Sequence, residues 1–136
     1  MCTAKAKNFR VVEVLVGNVN QRDFYLPQDE VLRNAKRIVA VESYRVGKSS
    51  NAPISGAANV SDTVFNKSFL TLETKDGGTQ PITAVPLTDL CKQDNAGVLF
   101  EVDLPPLNVS KCKITVPTNA SLVATEAWQI GFYYEA

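Results

Sequence analysis

The chain of 136 residues contains no histidine. That absence removes the side chain that most often acts as a general base near neutral pH. With it go every Ser-His-Asp or Cys-His nucleophile and every zinc site built on imidazole. Cysteine is sparse: Cys2, Cys91 and Cys112 form neither a CxxC unit nor a disulfide framework, so free thiols in a reducing compartment are expected. Cys112 in "KCKITV" alternates with two lysines and reads as an inward-facing small hydrophobe. An excess of one charge is lacking as well, with 14 basic side chains against 14 acidic ones. No block of like charge faces a phosphate backbone, and no direct nucleic-acid partner is expected. Zero net charge also removes a repulsion that would keep copies apart. No apolar run approaches the roughly 18 residues of a membrane span, so no transmembrane segment is expected. The opening "MCTAKAKNFR" has no apolar stretch of signal-peptide type, so the product is expected to stay in the cytosol where it is made.

What is present is a series of short β-type runs. "FRVVEVLVG" is valine-rich and stops at Gly17 and Asn18, residues that supply or tolerate positive φ. "RDFYL" is a second extended piece ended by Pro27. In "PQDEVLRNAK" the proline and the acidic pair Asp29 and Glu30 suit the first turn of a short helix, with Arg33 and Lys36 toward its end. "RIVAVESYRVG" then reads as a central strand. Residues 48–62 read as a long exposed loop, with Ala52 to Ile54 able to add an edge strand. Two β-type runs flank Asp76, Gly77 and Gly78 as a hairpin, and Pro81 confines its second strand to an edge or a bulge. "PLTDLCK" allows one helical turn. "GVLFEVDLPP", "SKCKITVP" and "EAWQIGFYYEA" complete the strands, the last with Trp128, Ile130, Phe132 and Tyr134 on one face.

Seven or eight strands without a long helix predict one all-β domain over residues 1–136. The expected form is an antiparallel β-sandwich, and a single jelly roll fits the length. The carboxylates Asp23, Asp29 and Glu30 lie close in sequence, but nearby basic residues account for them as ion pairs rather than a glycosidase pair. Sequon-like triplets at Asn66, Asn108 and Asn119 carry no weight without a secretory signal. Nothing implies a metal, a cofactor or catalysis, so a non-enzymatic building block is expected. Both faces of the first strand are apolar, and a sandwich of this size has one interior. Val12, Val14 and Val16, with Arg33 and Arg37, are therefore the candidate assembly contacts. If Arg33 pairs with a carboxylate of another subunit, it is such a contact; if with Asp29 or Glu30, it is a cap. The alternative is a carbohydrate-binding or adhesin-like sandwich, whose ligand platform would include Tyr25 and Tyr133.

The stretch "FYLPQDEVLRNAKRIVAVESY" resembles a segment of small virion proteins of tailless bacteriophages. There an aromatic, a proline and a Leu-Arg pair precede a strand of the type "IVAVE". The corresponding residues here are Phe24, Tyr25, Pro27, Leu32, Arg33 and Ile38 to Glu42. With "PLTDL" and the aromatic final strand, the likeness covers about half of the chain. It implies a single-jelly-roll capsid subunit, of the shell or the fivefold vertex, assembled in the host cytoplasm and resident in the virion. Its implied partners are copies of itself and other capsid proteins. A basic packaging arm is missing, so a membrane or a second protein layer, not the genome, is expected beneath it.

Overall fold

A computed structural model describes residues 8–44, 58–75, 80–118 and 120–136. Cys2, the Asp76–Gly78 turn, Asn119 and most of the 48–62 stretch, with its expected edge strand, lie outside the described residues. The chain is an all-β sandwich of antiparallel sheets, as its alternation predicts. Its strands are β1 (Asn8–Leu15), β2 (Asp23–Tyr25), β3 (Arg37–Ser43), β4 (Ala58–Asn59), β5 (Phe69–Leu72), β6 (Ile82–Pro86), β7 (Phe100–Leu104), β8 (Lys113–Thr115) and β9 (Glu126–Glu135). Three single-turn helices, α1 (Glu30–Arg33), α2 (Asp62–Phe65) and α3 (Leu87–Leu90), sit in the connections. None of the described helices is long and apolar enough to cross a membrane.

The pairing is nested. β1 pairs with β9, β2 with β8, β3 with β7, and β5 with β6, all antiparallel. Side pairings of β3 with β9 and of β5 with β8 then join these ribbons into two sheets, in the orders β1-β9-β3-β7 and β2-β8-β5-β6. The two-residue β4 adds a parallel contact to β9. β6, which begins directly after Pro81, is an edge strand, and its pairing with β5 shifts register between Leu70 and Leu72, so both placements that the proline allows occur here. β3 lies inside its sheet, as expected of its branched, apolar sequence.

Alternation decides the interior. Val12 lies opposite Ile130 and Val14 opposite Trp128, and residues directly opposite in an antiparallel pair share a face. Both pairs, with Phe132 and Val41, are buried in the core. The sheets meet at Phe24 and Trp128, whose ring centroids are 4.9 Å apart and tilted by 49°. The Trp128 Nε1–H donates to Ser68 Oγ at 3.0 Å, and the Ser68 hydroxyl donates to the Val64 carbonyl of α2 at 2.7 Å. A buried indole donor is thereby satisfied. Ser43 similarly donates to the Leu87 carbonyl at 2.6 Å, tying β3 to α3.

The connections follow local chemistry. Gly17 adopts φ 61°, the left-handed conformation that ends β1. α1 begins at Glu30 rather than at Pro27 because Asp29 is its N-cap, with Oδ1 accepting the Leu32 N–H at 3.1 Å. α2 was not expected: Ser61 caps it by accepting the Val64 N–H, a Ser-Asp start that sits at the end of a turn-rich stretch.

Cys112 is buried, as its alternation predicts. The Glu73 backbone N–H donates to its sulfur at 3.4 Å, and the thiol reaches the carbonyls of Asn108 and Glu73. Burial pushes the thiol up to about 11 from an ordinary 9.0, against a smaller downward pull from the Glu73 backbone hydrogen bond. The folded chain therefore keeps a proton that the unfolded chain gives up near pH 9. The stability this group contributes is complete below that pH and is lost on approaching 11, by about 2–3 kcal/mol in all. Urea midpoints compared at about pH 8 and about pH 10.5 should fall further for the parent chain than for Cys112→Ala; equal falls would refute this.

Candidate functional site

The structure puts Val12, Val14 and Val16 in the sandwich interior, which corrects their assignment to a subunit contact. The strand has two apolar faces, but the outward one carries Phe9, Val11, Glu13 and Leu15. Leu15 is 59% exposed. Arg37 is also committed within the chain, to Asp103 of β7 at 3.2 Å and Glu135 of β9 at 3.3 Å. Among the described residues the Arg33 side chain pairs only with Glu30, at 3.5 Å across one helical turn, which is the geometry of a local pair. The other carboxylates are likewise placed by neighbours. Asp29 accepts from Arg10 Nε at 2.9 Å besides capping α1, and Asp23 accepts from Thr115 at 2.9 Å and lies 3.6 Å from Lys113.

Tyr25 and Tyr133 are not brought together. Tyr25 is on β2, 52% exposed, and lines an open groove of about 260 Å³ with Glu13, Leu15 and Pro27. Tyr133 is on β9 in the other sheet, opposite Phe9. Four to six residues of β1 separate Phe9 from that groove, or about 13–20 Å. A shared ligand platform is therefore not formed.

Tyr133 instead belongs to a packed layer on the outward face of the first sheet. Its ring lies 4.7 Å from that of Phe9. Its hydroxyl and that of Tyr44 both donate to Glu42 Oε2, at 3.2 and 3.1 Å, and Glu42 is buried. Burial, followed by the adjoining Glu42 carboxylate, raises the Tyr133 phenol above its ordinary value. Gly131 lies beneath this cluster, where a Cβ would meet the Tyr44 hydroxyl and the edge of the Phe9 ring, at 2.9 Å from Cε1. The glycine is required by close approach, since its φ is not left-handed. Gln129, one pleat further along, is 1% exposed, and neither its Oε1 nor its Nε2 has a hydrogen-bond partner among the described residues. These groups form a packed layer in which one buried carboxylate accepts from two phenols.

A second concavity, of about 340 Å³, is lined by Gln28, Arg33, Lys75, Leu107, Asn108 and Val109. Sequence reasoning singled out Arg33 but not Lys75. No local signal joins them, because they approach only when the α1 connection and the chain after β5 are laid side by side. Among the described residues no group of three or more potential metal ligands occurs. No family model, curated protein or solved structure matches the chain.

Two variants test the outward layer. Gly131→Ala should lower unfolding stability by about 1–3 kcal/mol, the usual cost of overpacking, read from denaturant midpoints. An unchanged midpoint would mean that the layer yields freely. Gln129→Met removes an unpartnered buried amide at nearly constant volume and should be neutral or raise stability by about 1 kcal/mol. A loss of that size would show instead that the amide is satisfied by bound water.

Proposed function

We propose that this chain is a virion structural protein, a capsid or vertex subunit built on a single jelly roll, which assembles with copies of itself and with other shell proteins. The observation that carries the reading is the nested pairing. With the two-residue β4 set aside, the first strand pairs with the eighth, the second with the seventh, the third with the sixth and the fourth with the fifth. That is one long hairpin wound on itself, its successive ribbons falling in alternate sheets. Eight strands in two Greek keys make a jelly roll, an architecture that recurs in viral capsids and in lectins.

Between those two uses, the disposition of the aromatics favours the structural one. Tyr133 is drawn into the Glu42 layer, and Tyr25 is the one aromatic among the exposed large hydrophobic residues that are described. The likeness of the Phe24–Tyr44 segment to virion proteins points the same way. The sheet edges give assembly its means. β1 runs for eight residues with no proline and no strand on its outer side among the described residues, beside the exposed Leu15 and Tyr25. Such an edge, left open, pairs readily with another chain, and a subunit contact covers it. On this reading a membrane or a second protein layer lies beneath the shell.

Purified protein should form concentration-dependent oligomers in light scattering coupled to size exclusion. Particles purified from the native source should contain the chain by mass spectrometry. A strictly monomeric protein that is absent from such particles would overturn the reading.

A further inference from the structure

We propose that the cleft between α1 and the Leu107–Val109 turn is a binding site for an oxyanion, a phosphate or sulfate group, either free or as the ester of a small sugar. Each polar residue that lines it among the described residues, Gln28, Arg33, Lys75 and Asn108, can donate a hydrogen bond, and none of those described lining residues is acidic. Two of the four are cations from separate parts of the chain. An anion lying between them would be attracted by both.

Neither cation is firmly neutralised. The contact of Arg33 with Glu30 at 3.5 Å is longer than the 2.7–2.9 Å or so of a charge-assisted hydrogen bond, and both side chains are well exposed. An incoming dianion can therefore compete for the guanidinium. Lys75 makes no ion pair among the described residues. Asn108 accepts from Ser110 through Oδ1 at 3.3 Å, and its amide Nδ2 makes no hydrogen bond among the described residues.

The scaffold is held in place before any ligand arrives. The Lys75 amide donates to the Pro106 carbonyl at 2.9 Å and the Asn108 amide to the Glu73 carbonyl at 2.9 Å, while Thr74 and Leu107 form a β-bridge. Buried Leu107 and Val109 make an apolar floor. A cavity of about 340 Å³ is at the small end of ligand sites, which run from about 300 to 1,000 Å³, and accommodates an oxyanion with a sugar-sized carrier. An apolar floor beneath a donor-lined rim suits a ring whose anionic substituent faces the cations.

The site is tested by amide NMR titration at constant ionic strength with inorganic phosphate, sulfate, glucose 6-phosphate and glucose. Saturable shifts should centre on Asn108, Val109 and the Arg33 side chain with the three anions and be absent with glucose. Tighter binding of glucose 6-phosphate than of phosphate would assign an ester, and equal binding the free anion. Arg33→Gln and Lys75→Gln should each weaken binding about tenfold, the scale of one charged hydrogen bond. Arg22→Gln, an exposed cation outside the cleft, should leave binding unchanged. Shifts that stay linear to about 50 mM, or a loss in Arg22→Gln equal to that in the cleft variants, would overturn the proposal. All three side chains lie at the surface, and matching thermal midpoints will confirm that the variants are folded.

Discussion

The indole of Trp128 is the point at which the two sheets are locked. It projects from near the start of β9, opposite Val14 of β1, packs against Phe24 of the second sheet, and spends its only donor on Ser68. Ser68 passes the hydrogen bond on to Val64, so one side chain ties a sheet, its opposite sheet and α2. The position works because β9 is flanked on both sides, by β1 and by β3. Its inward residues are then removed from water along most of the strand.

That placement constrains the opposite face. A strand alternates its side chains, so the residues between Trp128, Ile130 and Phe132 must point outward, and they are buried too. Gly131 leaves room for the Phe9 ring and the Tyr44 hydroxyl, and Glu42 is made tolerable by two phenolic donors. A buried carboxylate without such donors would be costly. The layer is thus the second half of the core's geometry. It draws in an aromatic that, on an isolated strand, would be available to a ligand.

Charges elsewhere have a similar use. Arg10 reaches from β1 to the cap of α1, and Arg37 spans β7 and β9. In the Phe24–Tyr44 segment they orient the entry of β3, which must leave the second sheet and cross to the first. Among the described residues, the groups that these contacts leave over include an exposed Leu15 and Tyr25 at an open edge, and Arg33 and Lys75 in one cleft.

Much of this organisation was legible in the sequence because it is local. Period-two alternation is a property of neighbouring residues, and it marks the strands, the burial of Cys112 and the core face of β9. Proline and glycine chemistry likewise marks the edge position of β6 and the stop at Gly17, and the acidic start of α1 is visible near Asp29. The choice between the two faces of β1 was not legible. Val12, Val14 and Val16 are no more apolar in kind than Val11 and Leu15, and only the position of β9 and of the second sheet decides which set is enclosed. The separation of Tyr25 from Tyr133, the partners of Arg37, the burial of Glu42 and the placing of Arg33 and Lys75 on one cleft all depend on which strands become neighbours. Sequence by itself therefore determined the elements and their alternation, through backbone sterics and side-chain periodicity. Tertiary structure alone decided which residues face one another, because nested pairing brings the two ends of the chain together and no local pattern encodes that distance.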